Sequence, residues 1–427
     1  MIDRPEYLAE LERHKGKSDL IKVVTGVRRC GKSTLLKLFQ ERLKKNKVPK
    51  RRIIDINLED IENEDLRAGR TLYKHVKDRA TGGDLHYVFI DEIQLASDYE
   101  DAANGLRLLK NVDLYVTGSN SNILSGEFAA RWAGRYVEIK MLPLSFKEYS
   151  SIFFNVSVNP DLVFKDYVEL SSFPEVWAYY SPSWMDGSFF LDGTKMMDGG
   201  KWDKLGVRDY LNDTIYNSII IKDVIRQHGI KEAALLERVV KCLFSNIGSE
   251  TSINSMVNML NNDLRLSSKD KKVYASTLEV YIDGLIKSFV FYKAERYYVK
   301  GRAYLRTNAK YYAVDVGLRY LLLGNKGTDS GHVLENIVYL ELLRRGYKVY
   351  VGKVGEKEID FIAEGADGIE YYQVAETVRG KETLARELAS LNAIRDHNPK
   401  FLLTRDYDPA VSYNGIKQLN VLDWLLK

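Results

Sequence analysis

The chain contains very little cysteine. Cys30 and Cys242 are the only two among 427 residues, and they lie far apart in the sequence. Two cysteines so far apart in the sequence argue against a disulfide framework and for a reducing compartment. A membrane-spanning helix needs an apolar run of about 18 residues, and no apolar run in the sequence approaches that length. The charged N-terminal segment also lacks the apolar centre of a signal peptide. We therefore expect a soluble, cytoplasmic protein with no membrane partner.

An excess of charge of one sign is also missing, since the formal net charge is +4 at pH 7. Such a balance provides no strong overall field for a polyanion, so any nucleic-acid surface must be a local patch. What the chain does have is 45% hydrophobic residues, enough for packed cores. Its length predicts more than one domain, and the patterns below divide it into residues 1–150, 151–330 and 331–427.

A phosphate-binding pattern lies near the N-terminus, in the segment GVRRCGKST. It fits G-x-x-x-x-G-K-[ST] and consists of Gly26, Val27, Arg28, Arg29, Cys30, Gly31, Lys32, Ser33 and Thr34. An apolar run precedes it and a helical pattern follows, as the motif requires; the alternative is a chance match in a glycine-containing turn. Backbone N–H groups of the loop and the helix N-terminus are suited to phosphates. Lys32 would reach the β- and γ-phosphates, and the Ser33 hydroxyl would ligate Mg²⁺.

Two adjacent carboxylates end the next clear apolar strand, in YVFIDEIQ at residues 87–94. In a phosphate-loop NTPase the first of such acids holds Mg²⁺, which predicts that role for Asp91. Glu92 would orient and polarise the attacking water as a general base. The alternative is the polar end of a surface strand. Because the sequence lacks the N-K-x-D motif of small GTPases, ATP is favoured over GTP.

Further apolar strands at 52–57, 113–117 and 136–139 alternate with helical segments and predict an α/β fold with a parallel sheet covered on both faces. Asn120 follows a strand end, where it can sense the γ-phosphate; an ordinary Ser–Asn turn is equally compatible. Arg135, just before the strand at 136–139, is a candidate arginine finger, a group often supplied by a neighbouring subunit. A surface arginine at a helix end is the alternative, and Arg131 is a weaker candidate.

Taken in order, GVRRCGKST, FIDEIQ, VTGSN, RWAGR and LPLSFKEY resemble a family of prokaryotic AAA+-type ATPases with a C-terminal domain of unknown function. SFPEVW and YYAVDVGL further along match the same family, so the resemblance covers nearly the whole chain. It implies an ASCE/AAA+-like phosphate-loop sheet that uses ATP and Mg²⁺. It also implies the nucleotide-site roles of residues 26–34, Asp91 and Glu92, and less directly those of Asn120 and Arg135.

The middle region, 151–330, is predicted to be helical, with a glycine-rich loop insertion near 181–206. Its helical patterns are followed by two strand-like stretches, an order typical of a winged helix–turn–helix. The hairpin they form, at 289–312, is basic and carries interleaved tyrosines, which favours contact with DNA phosphates and bases. Its cations are Lys293, Arg296, Lys300, Arg302, Arg306 and Lys310. The alternatives are a solvated hairpin face and a module for docking a protein partner or for self-association.

The last region, 331–427, shows an α-β-β-β-α-β order that resembles the PD-(D/E)xK nuclease superfamily. That resemblance implies Glu335, Asp360 and Gln373 as a Mg²⁺ site, with a lysine two residues further on to activate water. Ala375 stands at the lysine position; a displaced lysine such as Lys353 or Lys381 is the alternative source of that group, although no sequence pattern points to either. We therefore expect a degenerate nuclease fold used for binding or assembly.

The leading hypothesis from the sequence is an ATP-binding and ATP-hydrolysing protein that acts on DNA or is regulated by it. An ATP-regulated, Mg²⁺-dependent nuclease is one alternative. A non-hydrolytic ATP switch that docks a protein partner is another.

Overall fold

A computed structural model describes residues 2–124, 132–153, 159–181, 201–262, 272–299, 303–324, 330–408 and 411–427. The chain divides into two compact units. Unit 1 comprises Met1–Pro143 with Lys287–Phe289, and unit 2 comprises Leu144–Ile286 with Val290–Lys427. The structure thus groups the predicted middle and C-terminal domains into one unit, and their finer division stays a prediction. Among the described residues, no helix combines the length and the apolar character needed to span a bilayer.

Unit 1 is built on a parallel five-stranded sheet in the order β2–β3–β4–β1–β5. Its strands are β1 (Ile21–Thr25), β2 (Ile53–Asn57), β3 (His86–Asp91), β4 (Val112–Gly118) and β5 (Tyr136–Lys140). Its described α-helices are α1 (Pro5–Arg13), α2 (Lys32–Lys45), α3 (Gly69–Arg79) and α4 (Tyr99–Arg107). Every residue of β1 and β4 is buried, as expected for a parallel sheet with both faces covered. The predicted α/β fold class is confirmed.

A buried ion pair lies on the two central strands of this sheet. Lys22 on β1 and Asp113 on β4 are both 0% exposed, and the ammonium is bonded to the carboxylate. The other carboxylate oxygen accepts from the Gly16 N–H and the Tyr115 hydroxyl, each at 2.8 Å. The Lys22 ammonium also donates to the Lys17 carbonyl at 2.6 Å. Such bonds offset part of the cost of removing the two charges from water.

Unit 2 contains an eight-stranded mixed sheet in the order β14–β15–β13–β12–β11–β10–β8–β9. Its strands are β8 (Phe291–Tyr298), β9 (Ala303–Ala313), β10 (Lys348–Val354), β11 (Lys357–Gly365), β12 (Gly368–Ala375), β13 (Lys400–Thr404), β14 (Val411–Tyr413) and β15 (Ile416–Asn420). A separate two-residue pair joins β6 (Tyr180–Ser181) to β7 (Lys201–Trp202). Most of the predicted loop insertion at 181–206 lies outside the described residues.

Helices pack around these strands. They are α5 (Phe146–Ser150), α6 (Pro160–Leu170), α7 (Lys204–Asp209), which continues as a π-helix (Tyr210–Asp223) into α8 (Val224–His228), α9 (Ala233–Ser245), α10 (Ile253–Asn262), α11 (Ala275–Lys287), α12 (Val316–Leu323), α13 (Ser330–Arg344), α14 (Lys381–Asn392) and α15 (Val421–Leu425). The α-β-β-β-α-β order predicted for the C-terminal region is present as α13, β10–β12, α14 and β13.

The hairpin of β8 and β9 differs from the predicted wing. Its strands pair antiparallel with each other, but β8 also pairs in parallel with β10, through Arg296–Val351 and two further residue pairs. The hairpin is therefore part of the large sheet, and the winged-helix arrangement stays a prediction. The pairing with β10 satisfies backbone groups of β8 that a free wing leaves to water.

Candidate functional site

The loop after β1 has the conformation that a phosphate loop requires. Gly26 has φ +149° and Gly31 has φ +102°, both in the region that favours glycine. A Cβ on Gly26 would come within 2.1 Å of the Met141 carbonyl oxygen. Helix α2 begins directly after Gly31 and has no side-chain cap. Its first-turn N–H groups, which have no partner within the helix, are therefore suited to an anion.

Lys32 is the first residue of α2, and it is only 4% exposed. Its ammonium donates to the carbonyl oxygens of Gly26 at 3.1 Å and Val27 at 3.2 Å. The same nitrogen lies 3.8 Å from Glu92 Oε1. The loop lysine and the candidate base, which are 60 positions apart in the chain, therefore meet at one place.

Asp91 and Glu92 are held by groups at the end of β4. The Glu92 N–H donates to Thr117 Oγ1 at 2.8 Å, and this hydroxyl in turn donates to Asp91 Oδ1. Glu92 Oε2 accepts from the Ser119 hydroxyl at 2.9 Å and from the Gln94 amide. Glu92 itself has a left-handed backbone, with φ +52°, which turns the chain sharply after the strand. Both carboxylates are thereby fixed next to the loop.

This donor set fits a magnesium-bound triphosphate. The carboxyl ends of parallel strands share one edge of a sheet, so the loop after β1, Asp91 at the end of β3 and Ser119 after β4 lie at the same edge. Oxygen ligands of the Asp91 and Ser33 kind are those that Mg²⁺ uses beside phosphates. Ser33 is exposed in the first turn of α2. The Gln94 side-chain oxygen is buried there without a hydrogen-bond partner.

Cys30 has a packing role within the loop. Its side chain is 0% exposed, and burial raises the pKa of its thiol. A buried, protonated thiol is a poor nucleophile. Arg4 donates to the Cys30 carbonyl at 3.2 Å, which ties the N-terminal segment to the loop. Arg28 pairs with Glu59 at 2.6 Å at the half-exposed rim.

The remaining predicted nucleotide-site residues occupy different places. Asn120 is buried directly after Ser119, at the edge that carries the loop. Arg135 is exposed, and its carbonyl accepts from the N–H of Ile21, the first residue of β1. It therefore lies at the opposite edge of the sheet, about 16 Å along the strand from the loop. Arg131 lies outside the described residues.

A second candidate site is a cavity of about 500 Å³ in unit 2. Its lining includes Glu335 of α13, Asp360 of β11 and Gln373 of β12, the three residues predicted from the nuclease resemblance. Asp360 Oδ2 accepts from the Val374 N–H at 2.8 Å. The structure thus brings together the three predicted residues, which lie on three different elements.

Lys310 of β9 also lies at this site, although the sequence pattern does not place it there. Its ammonium is 2.9 Å from Glu335 Oε1 and 2.7 Å from Glu358 Oε1. Tyr312 donates to the same Glu335 oxygen at 2.7 Å. The carboxamide of Gln373 is engaged, since it donates to Glu387 at 2.9 Å and accepts from the Ser390 hydroxyl at 3.1 Å.

The charges of this cavity are strongly coupled. Burial alone lowers the pKa of Lys310, but the surrounding carboxylates, chiefly Glu335, outweigh it and raise that pKa. Burial raises the pKa of Glu335, but its partners, chiefly the Lys310 ammonium, outweigh burial and lower that pKa. Burial and the neighbouring Glu335 raise the pKa of Asp360 well above its usual value.

The residues of the cavity do not fit the divalent cation that the nuclease resemblance implies. An ammonium lies on the carboxylate oxygens, and the carboxamide of Gln373 is already bonded to protein groups. Across the ranges that the structure describes, no cluster of three or more His, Cys, Asp and Glu is arranged to hold a metal. The alanine at position 375, at the end of β12, offers no group to activate water.

Comparison with known proteins places the nucleotide site in a family. Residues 18–150 match the AAA domain, and residues 203–329 match a domain of unknown function (DUF8612). An uncharacterized protein of Haemophilus influenzae is 36% identical over 431 aligned residues, covering 100% of this chain and 99% of that protein. The chain belongs to a family of AAA-domain proteins.

The chain is also similar to more distant proteins. The uncharacterized protein MJ1544 of Methanocaldococcus jannaschii is 26% identical over 390 residues, covering 86% of this chain and 78% of that protein. Among solved structures, the ORC2 protein of Aeropyrum pernix in ADPNP and ADP complexes has a TM-score of 0.40 and 12% identity, covering 79% of this chain and 92% of that one. This structural likeness is too weak to support a statement about function.

Sequence reasoning missed three contributors to these sites. In the AAA domain, Gln94 and Thr117 hold the two carboxylates, and their polar character beside a strand end was the available signal. In the cavity of unit 2, Lys310 was interpreted as part of a DNA-binding surface. No local pattern links it to Glu335 or Glu358, because the three residues, on a helix and two strands, meet only in the tertiary fold.

Proposed function

We propose that the AAA domain binds ATP with Mg²⁺ and hydrolyses it. The observation that carries the proposal is the convergence of the loop lysine and the strand-end glutamate: Lys32 Nζ lies 3.8 Å from Glu92 Oε1, beside a helix N-terminus with no side-chain cap. A phosphate-binding cradle next to a buried carboxylate is the arrangement that phosphoryl transfer to water needs.

Each residue has a distinct part in this scheme. Lys32 exchanges its loop carbonyls for the β- and γ-phosphates, and the amides of residues 28–34 bind phosphate oxygens. Asp91 and Ser33 would hold Mg²⁺, which when bound would neutralise charge on the phosphates. Glu92 takes the proton of the attacking water. Ser119 and Gln94 both donate to Glu92 Oε2. The other carboxylate oxygen, Oε1, therefore remains available to accept the proton of the water.

The test is Mg²⁺-dependent ATP hydrolysis by the full chain and by Glu92→Gln. Loss of a general base typically costs about 10²- to 10⁴-fold in rate, so we expect kcat to fall by that range. The ATP dissociation constant should change little, since the amide keeps the size and hydrogen-bonding capacity of the carboxylate. Glu62→Gln removes an exposed carboxylate of the same unit and is the matched control.

The possible outcomes separate the steps of the proposal. If Glu92→Gln binds ATP and hydrolyses it at the wild-type rate, Glu92 is not the base. If calorimetry detects no ATP uptake by folded wild-type protein, the nucleotide site itself is wrong. Uptake without hydrolysis by the wild type would leave a non-hydrolytic ATP switch.

The arginine finger and the DNA contact remain narrower proposals. Since Arg135 lies at the far edge of the sheet, we assign it to the nucleotide site of a neighbouring copy. The predicted DNA contact has fewer cations than expected, because Arg296 pairs with Glu250 and Lys310 lies within the cavity of unit 2. Lys293 is exposed, and the steepness of any loss of DNA binding with added salt would count the phosphates that are contacted.

A further inference from the structure

The cavity of unit 2 contains an acidic cluster whose cation is supplied by the chain itself. Glu335 comes from α13 and Glu358 from β11, yet one oxygen of each lies within 2.9 Å of the Lys310 ammonium. The Lys310 side chain is 4% exposed. An ammonium with so little access to water depends on its protein partners, and they depend on it.

The other polar groups of the cavity are already arranged around this pairing. Tyr312 donates to the Glu335 oxygen that Lys310 contacts, and His332 Nδ1 lies 3.7 Å from the second oxygen. Glu387 is occupied by Arg386 and by the Gln373 amide. Among the residues that the structure describes, Lys310 is therefore the cation that faces both Glu335 and Glu358.

We propose that the Lys310 ammonium is the resident cation of this cavity and excludes a divalent metal ion from it. In a metal-dependent nuclease, a divalent ion holds such carboxylates together. Here a covalently attached charge does so, and it reaches the cavity from the hairpin that was predicted to contact DNA. A metal ion entering the cluster would have to displace an ammonium that is bonded to two carboxylates. The inference is independent of ATP binding.

The proposal predicts that removing the ammonium creates a metal site. Calorimetric titration with Mn²⁺ alone is compared for the full-length wild type, for Asp360→Asn, for Lys310→Met, and for Lys310→Met combined with Asp360→Asn. Wild type and Asp360→Asn should bind Mn²⁺ alike. Lys310→Met should gain a class of Mn²⁺ sites that the double variant loses. Lys293→Met, which removes an exposed lysine of the same hairpin, should gain none.

Thermal unfolding provides a second readout. Added Mn²⁺ should raise the Tm of Lys310→Met because ligands that bind the folded state stabilise it. It should raise the Tm of the wild type no more than that of Asp360→Asn. Lys310→Arg keeps a cation and should behave as the wild type.

Two results would overturn the proposal. One is Mn²⁺ binding by the wild type that Asp360→Asn abolishes, which would show that a metal enters the cavity beside Lys310. The other is a folded Lys310→Met that gains no Mn²⁺ site. If Lys310→Met does not fold without metal, recovery of its folded signal on addition of Mn²⁺ supports the proposal. If the signal does not recover and Asp360→Asn abolishes Mn²⁺ binding by the wild type, the proposal is refuted. If the signal does not recover and Asp360→Asn has no such effect, Lys310→Arg decides: a Mn²⁺ site in that variant contradicts the proposal, and the lack of one supports it.

Discussion

Lys22→Met should destabilise unit 1 by leaving the Asp113 carboxylate buried without its cation. Both side chains are fully buried on adjacent central strands. Removing one partner of such a pair typically costs about 3–5 kcal/mol. At about 1.4 kcal/mol per factor of ten, this corresponds to roughly 140- to 4,000-fold more frequent opening of the sheet.

Amide hydrogen exchange of β1 and β4 within the intact chain measures this opening directly, because exchange of core amides follows the local unfolding free energy. Adding Asp113→Asn to Lys22→Met should recover much of the loss. The amide oxygen can still accept from Gly16 or Tyr115, and no buried charge remains. Lys37→Met, an exposed change on α2, should leave exchange near wild type.

The comparison of the single and double variants decides the reasoning. If Lys22→Met and Lys22→Met/Asp113→Asn open equally often, the cost comes from lost packing and from the Lys17 bond, and the unpaired carboxylate is not its cause. A Lys22→Met variant that exchanges like the wild type would refute the ion-pair argument altogether.

Three further outcomes are expected. Gly26→Ala should weaken ATP binding at least about tenfold by calorimetry, because a strained loop conformation costs about 1–3 kcal/mol and the added Cβ meets backbone; Gly82→Ala, which has positive φ but open space, should not. Ser119→Ala removes a hydrogen bond to Glu92 and should lower kcat about 10- to 100-fold with an unchanged ATP dissociation constant, given about 1.5–3 kcal/mol for a bond to a charged group. Burial lowers the pKa of Lys22 in the folded state, so the unfolded chain holds more protons in the window between the folded pKa and the ordinary value. Urea denaturation should therefore show wild-type stability rising with pH through that window, and Lys22→Met should lack the rise.

The arrangement of the loop after β1 and of the two acids at the end of β3 is the part of the fold that the sequence predicts best. Its signals are local: a glycine-bounded loop after an apolar strand, and two acids at the end of another. The parallel sheet then brings Lys32 and Glu92 together at one edge, and no additional sequence signal is needed for that. Gln94 and Thr117 escaped prediction because nothing in their spacing shows which side-chain oxygen they will contact.

The arrangement of unit 2 could be predicted only in part. The helices and strands follow from periodicity, but the pairing of β8 with β10 joins residues more than 50 positions apart. Nothing in either strand marks it. Lys310 therefore looked like a surface cation of a basic hairpin, whereas its side chain is 4% exposed. Long-range strand pairing decided its environment.

The parallel pairing of β8 with β10 has a consequence for cutting the chain. A fragment that begins at residue 331 would lack β8 and β9, and the Val351–Lys353 backbone of β10 would become an open edge. Open edges recruit other strands, so such a fragment should aggregate. Its acids at 335 and 358 would also be left without their ammonium. The smallest fragment that keeps this sheet intact starts before residue 291. That position lies well inside residues 203–329, which match a separate domain, so the hairpin and the C-terminal strands have to stay on one fragment.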